Sequence, residues 1–378
     1  MKELGIYVHI PFCVKKCDYC DFISYTHQEK YYQRYIKAIV QEIKNLQVPS
    51  EYEITTIYLG GGTPSILPKE YIEEIMQAIK NHLLVQQDAE ITIECNPGTV
   101  TLEKLQTYYK CGINRISIGL QETHNHLLKQ IGRIHTYEEF LQTFEWARKA
   151  GFHNINVDLM IALPNQTMQD IEENLQKVIE LQPEHISIYS LIIEEGTKME
   201  QDLQNKVIEL PSEEMERNMY WKVKRKLEQA GYRHYEISNF AKPHFESRHN
   251  CNCWEQQEYL GMGIAAHSYF NKKRYSHITQ LLTYIENCEN KKIAQNNILH
   301  EVQNIEEQQK EYMLLKLRML EGVSIQKFKE KFKQNPIYVF RKEIHKLVEE
   351  GLLEVDGDKI FLTNKGLDVA NLVWEEFV

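Results

Sequence analysis

From Gly5 to about Ile193, short β-branched apolar runs alternate with stretches whose apolar residues recur at helical spacing. The runs Gly5–Pro11, Ile54–Leu59, Glu90–Cys95, Arg115–Leu120, Asn154–Ala162 and His185–Ile192 predict strands. Between them, Lys30–Leu46, Lys69–Leu84, Leu102–Cys111, Tyr137–Ala150 and Met168–Leu181 predict helices. Six β/α units in succession predict an α/β fold whose parallel sheet is either open or bent into a partial (β/α)6 barrel, with the helices outside. In either form the working site lies at the carboxyl ends of the strands.

Beyond residue 200 the pattern changes. A helical window at Ser212–Ala230 is followed by a predicted strand at Tyr235–Phe240, and residues 285–305 are polar without an apolar period, which predicts a linker. From Glu306 the order is three helical windows, a hairpin within Leu352–Leu362 turning at Asp356-Gly357-Asp358, and a last helix, which is the order of a winged-helix module. The chain is therefore expected to divide into residues 1–200, a barrel-completing region 201–300 that includes the linker, and a C-terminal module 306–378.

With 42% apolar residues in 378, there is material for one large core and a smaller one. The net charge of −10 argues against bulk electrostatic binding of nucleic acid, and the tail carries no basic excess either. No apolar run reaches the ~18 residues of a membrane span, and the amino terminus lacks the pattern of a secretion leader, so a cytoplasmic protein is expected. Eight cysteines, three of them in one loop, fit a reducing compartment and metal ligation better than a disulfide framework.

That loop follows the first strand and presents Cys13, Cys17 and Cys20 in the spacing CxxxCxxC. Three thiolates suit a [4Fe–4S] cluster with one iron left open. They also suit a structural zinc ion whose fourth ligand would be His9, Asp21 or His27. The other unusual residues fall at successive strand ends: Gly60-Gly61-Gly62-Thr63-Pro64, Glu94-Cys95-Asn96-Pro97, Gly119-Leu120-Gln121-Glu122 and Tyr189–Ile192. Asp158 interrupts an apolar run on the fifth strand and needs a partner, either a ligand or neighbouring polar groups.

Together, CxxxCxxC after Tyr7-Val8-His9-Ile10-Pro11-Phe12, the Gly60–Pro64 run, Glu94–Pro97, Gly119-Leu120-Gln121, Gly132-Arg133-Ile134-His135, Asp158 and the winged-helix tail resemble the radical S-adenosylmethionine (SAM) superfamily. The resemblance is to the branch that holds oxygen-independent coproporphyrinogen III dehydrogenase and a haem chaperone. It implies that Cys13, Cys17 and Cys20 hold three irons and that SAM chelates the fourth. The reduced cluster would cleave SAM to a 5′-deoxyadenosyl radical, with a flavodoxin-type carrier as electron donor. It also implies that Gly61, Gly62 and Thr63 line the methionine end of SAM, with Tyr7 and Glu94 nearby. Gln121, Arg133, Asp158 and Ile192 would meet the adenosyl portion or a second SAM position, and Tyr19 would stack near the nucleoside.

Within the branch, three features are similar to the chaperone: Asp21-Phe22 after the third cysteine, a first ligand cysteine as early as residue 13, and His249-Asn250-Cys251-Asn252-Cys253-Trp254, which resembles HNxxYW with Cys253 in place of Tyr. The resemblance implies that His249 ligates haem, imidazole being a recognised axial ligand. It further implies apo haem-proteins of respiration as acceptors, with peripheral membrane contact through them. Two small departures are Ala162 and Glu195, where relatives tend to have Gly and Pro. The alternative function is oxidative decarboxylation of the coproporphyrinogen III propionates.

Overall fold

The computed structural model describes residues 1–378. Six strands, β1 (Lys2–Ile10), β2 (Tyr52–Gly61), β3 (Val85–Cys95), β4 (Arg115–Gln121), β5 (Ile155–Ile161) and β6 (His185–Ser190), pair in parallel in chain order. Six more continue the sheet at its two ends: β7 (Arg233–Glu236), β8 (Asn239–Ala241), β9 (Tyr259–Met262), β10 (His267–Phe270), β11 (Lys273–His277) and β12 (Asn297–Val302). The order across the twelve strands is β12-β11-β10-β9-β1-β2-β3-β4-β5-β6-β8-β7, so the sheet ends on unpaired edges and the barrel is partial.

Alternation along each central strand sorts residues to two faces. Ile6, Val8, Ile57, Leu59, Ile91, Ile93, Ile116, Ile118, Val157 and Ile186 belong to one core of 60 buried residues shared with the outer helices. The intervening positions are polar, and the register places them side by side: Tyr7 beside Tyr58, Tyr58 beside Thr92, Glu94 beside Ser117, Ser117 beside Asn156, and Asn156 beside His185. The interior face of the barrel is thus a polar surface backed by an apolar one. The helices Tyr137–Ala150 and Met168–Glu180 each start in a capping box, Thr136 with Glu139 and Thr167 with Asp170, which satisfies their first free amides.

Two sequence expectations are corrected. Tyr235–Phe240 is not one strand: Ile237-Ser238 reverse the chain between β7 and β8, with the Glu236 carboxylate accepting the Ser238 amide (3.1 Å) and the Asn239 side chain. Residues 285–305 are not a linker. They contain the end of helix Leu281–Glu289, with Ile285 and Cys288 buried, and the edge strand β12. Every residue of β12 is exposed, so nothing selects an alternating pattern in its sequence.

The tail folds on a separate 17-residue core, with a three-stranded sheet of Val323–Ser324, Lys359–Leu362 and Leu353–Asp356 beside helices Ile305–Lys316, Ile325–Phe332 and Arg341–Glu349. Lys316 joins it to the barrel, its buried ammonium 2.7 Å from Glu255. No helix is long and apolar enough to cross a membrane.

A buried ion pair fastens the β9–β12 extension to the first helix, Tyr32–Asn45. His277 Nε2 lies 2.7 Å from Glu42, which also accepts from the Tyr284 hydroxyl and the Gly263 amide. Burial opposes both charges. The His277 charge and these donors nevertheless hold the Glu42 carboxyl below its usual range, and Glu42 holds the imidazole above its own. A raised histidine contributes stability that is full below about pH 6.5 and lost as pH rises through the folded value. A depressed carboxylate contributes above about pH 4.5 and loses this as pH falls. The pair is therefore most stabilising between about pH 4.5 and 6.5. Glu42→Gln should lower the melting temperature more at pH 6 than at pH 8.5, as scanning calorimetry would record.

Candidate functional site

Pro11 ends β1, and a short parallel pairing of Phe12–Cys13 with Tyr25–Thr26 closes the loop that carries the three thiols. Cys13 is buried, Cys17 and Cys20 are half-buried, and all three are free. Each sulfur has its own donor: Thr63 Oγ1 to Cys13 (3.5 Å), Arg133 Nη1 to Cys17 (3.5 Å) and the Phe22 amide to Cys20. Burial pushes the Cys13 thiol up, and Cys20 up to about 11. A bound metal would supply the positive charge that stabilises such desolvated thiolates.

A closed zinc site does not fit the donor set. His9 has both ring nitrogens engaged, Nδ1 with the Tyr7 hydroxyl (3.0 Å) and Nε2 with the Ile23 carbonyl (2.9 Å). Asp21 and His27 are exposed. Three separate thiols, each hydrogen-bonded, fit the larger cluster with an open iron.

The glycines after β2 are there because the thiol loop lies on them. A Cβ on Gly62 would stand 2.8 Å from the Phe12 carbonyl and 3.0 Å from Cys13 Sγ, and one on Gly61 would meet the His9 ring at 2.6 Å. Thr63 Oγ1 accepts from Asn96 Nδ2 (2.9 Å), and Asn96 Oδ1 accepts from Arg133 Nη2 (2.9 Å). The same Arg133 nitrogen donates to the Gly119 carbonyl (2.6 Å). One guanidinium thus ties the ends of β3 and β4 to the cysteine loop, a use of its planar fork that Lys would not reproduce.

The remaining residues singled out from the sequence are distributed as follows. Gln121 follows a register shift on β4 in the left-handed region (φ 70°), with its amide beside Gly119. Tyr19 packs with Ile131, Met160, Leu163, Leu191 and Met199, the Arg133 charge beside its phenol. Glu94 accepts from the Tyr58 hydroxyl (2.8 Å) and the Gly61 amide (3.1 Å), and burial pushes its carboxyl up to about 7. Asp158 finds its partners inside the fold, accepting from Ser117 Oγ (3.0 Å) and Asn156 Nδ2 (2.7 Å). Ile192 is the outlier: β6 stops at Ser190, and Ile192 stands two-thirds exposed (66%) with no polar contact. Ala162 adopts φ 61°, a left-handed conformation that Gly takes without steric cost.

Beside the thiol loop the barrel mouth forms an open cavity of about 640 Å³, lined among others by Tyr7, Tyr58, Phe22, Tyr189, His249, Cys253 and Trp254. This lies within the ~300–1,000 Å³ range of small-molecule and cofactor sites. The helix Arg248–Trp254 closes one wall. Its first amides, those of Arg248 and His249, donate to the Glu90 carboxylate (3.0 Å each), and Ser247 caps it. His249 is 7% exposed, pairs through Nδ1 with Thr56 Oγ1 (2.9 Å), and has no protein partner at Nε2. Burial, then the Arg115 charge, lowers its pKa to about 4, so the ring is neutral. In the tautomer whose Nδ1–H donates to Thr56, Nε2 offers the lone pair that a metal requires. Cys253 stands one turn further along the same face. Burial pushes it up to about 12 and keeps it a thiol.

Thr56, Tyr58, Asn156 and His185 also belong to this interior and were not singled out from the sequence. The signal that marks them is a polar residue at every second position of an otherwise apolar strand.

Residues 7–178 match the model of the radical SAM superfamily, and residues 305–369 that of the HemN C-terminal domain. The solved structure of coproporphyrinogen III oxidase (HemN) from Escherichia coli, a radical SAM enzyme, is similar in fold. It has a TM-score of 0.85 and 24% identity over 100% of this chain and 90% of that one. Fold and site together define a radical SAM protein with a HemN-type tail.

Among curated relatives, heme chaperone HemW of Lactococcus lactis is 36% identical over 377 residues, which is 100% of this chain and 98% of the relative. Heme chaperone HemW of Bacillus subtilis is 37% identical over 374 residues, 98% of each chain. The chain belongs to the HemW family.

Proposed function

We propose that this protein is a haem chaperone: it binds haem in the interior cavity and hands it to apo haem-proteins of respiration. The observation that carries this reading is His249, a neutral imidazole with an unpartnered Nε2, facing a cavity of cofactor size rimmed by aromatic side chains. Thr56 orients the ring, and Tyr58, 5.2 Å from it between centroids, packs against it.

Cys13, Cys17 and Cys20 are assigned to a [4Fe–4S] cluster with an open iron for SAM, which supplies one-electron chemistry when bound. Thr63, Arg133 and the Phe22 amide donate to the sulfurs, and such donors tune a cluster's potential. Gly61, Gly62, Thr63, Tyr7 and Glu94 are assigned to the methionine end of SAM. Tyr19, Gln121, Arg133, Asp158 and Ile192 are assigned to its adenosyl end or a second SAM. A flavodoxin-type carrier supplies the electron, and membrane contact is peripheral, through the acceptors.

The test is transfer. Chain loaded with one equivalent of hemin, mixed with an apo-b-type cytochrome, should lose its haem spectrum as the acceptor's appears. Hemin retained by the chain, or lost at the same rate without acceptor, would overturn the proposal.

A further inference from the structure

The interior holds a line of buried hydrogen bonds that runs from Asp158, on β5, to the N-cap of the helix that carries His249. Asn156 Nδ2 donates to Asp158 Oδ1 (2.7 Å) and to Ser117 Oγ (2.7 Å). With its amide nitrogen spent, Asn156 faces His185 with its oxygen, 2.6 Å from Nδ1. That fixes the tautomer: His185 carries its proton on Nδ1 and presents a lone pair at Nε2. Burial, then the Arg115 charge, holds this histidine well below its usual pKa, so it stays neutral. Nε2 accepts from the Tyr235 hydroxyl (2.8 Å), and the Tyr235 oxygen accepts from the Ser247 amide (3.2 Å). Ser247 is the N-cap of Arg248–Trp254, its Oγ accepting the Asn250 amide.

Asn156, His185, Tyr235 and Ser247 are each at most 3% exposed, so water does not compete for these bonds. The donor and acceptor at every link follow from the one before. Reversing any link leaves two buried donors, or two buried acceptors, face to face, at a cost of about 1–3 kcal/mol for each unsatisfied group. The helix at the far end is seven residues long, too short to be stable alone, and depends on such anchors for its position.

We infer that His185 and Tyr235 are positioning residues that couple occupancy of Asp158 to the placement of the His249 helix. Resting as it does on the assignment of Asp158 to the SAM site and His249 to haem, the coupling makes SAM and haem binding interdependent. A ligand hydroxyl held by Asp158 fixes that carboxylate, and with it the Asn156 amide, the His185 ring, the Tyr235 hydroxyl and the helix N-terminus. By reciprocity, haem on His249 would strengthen SAM binding by the same factor that SAM strengthens haem binding.

The experiment uses the cluster-loaded chain under anaerobic conditions, with calorimetry to establish SAM binding and hydrogen exchange to read the amides of 248–254. In the wild type, SAM should slow their exchange at least about fivefold, the lower end of typical coupling. Tyr235→Phe and His185→Phe should bind SAM but show no slowing. Tyr232→Phe, which removes an equally buried hydroxyl bonded to the Pro183 carbonyl outside the line, should behave as wild type. Equal slowing in Tyr235→Phe or His185→Phe, or no slowing in the wild type with SAM bound, would overturn the coupling. Absence of SAM binding in the wild type would instead remove the site assignment, and the coupling with it.

Discussion

His249→Ala should weaken hemin binding at least about 100-fold, equivalent to about 2.8 kcal/mol, and abolish the Soret shift of ligated haem, while leaving iron content and SAM affinity unchanged. The substitution removes a buried, neutral imidazole on the cavity wall that Thr56 orients through Nδ1 and that has no protein partner at Nε2, without changing a cysteine of the thiol loop. Thr56→Ala should show the intermediate effect, about 10-fold or more, expected when a ligand keeps its place but loses the group that orients it. Spectrophotometric hemin titration of the three proteins decides this. Equal affinity in wild type and His249→Ala would place the haem elsewhere.

Cys17→Ser should do the converse. Iron after anaerobic reconstitution should fall from about four per chain to below one, and SAM binding should vanish with the open iron. Hemin affinity should stay within about threefold, because Cys17 does not line the cavity: the thiol loop contributes only Asp21, Phe22 and Ile23, and the rest of the wall comes from β1, β2, β6, the helix after Ser247 and the segment from β9 to Thr279. Cys17 is the informative choice among the three because its sulfur receives Arg133, which also holds Asn96 and the Gly119 carbonyl. If the variant retained four irons, the assignment of the loop would fail.

The cysteine loop and the six parallel strands were legible because their signals are local. CxxxCxxC is a spacing, and strands buried on their outer face write unbroken β-branched periodicity into the chain. The strand-end residues were legible as a set, since parallel topology forces strand ends into one place. Arg133 was found through its motif, but its work of tying two strands to Cys17 depends on long-range contacts that no window contains.

What the sequence hid falls into two kinds. The edge strand β12 lies in the open on both faces, so its residues follow no pattern and look like a linker. The β7–β8 hairpin was hidden because its turn, Ile237-Ser238, carries no Gly or Pro and is stabilised by the Glu236 side chain instead. His185 and Tyr235 were hidden for another reason: a buried polar residue reads as a flaw in a strand until its partners, 29 and 50 residues away, are known. Ile192 was marked by its place in a strand-end run; the strand stops at Ser190, and Ile192 stands beyond it with its side chain exposed.

On the proposed function, the radical SAM apparatus of this chain serves haem handling rather than porphyrin oxidation. The most direct measurement is anaerobic: the cluster-reconstituted chain with dithionite, SAM and coproporphyrinogen III is assayed for protoporphyrinogen, while a parallel sample is titrated with hemin. A haem chaperone gives no product above the control without SAM and binds about one hemin per chain. SAM-dependent formation of protoporphyrinogen, with hemin failing to saturate, would contradict the claim and identify a dehydrogenase.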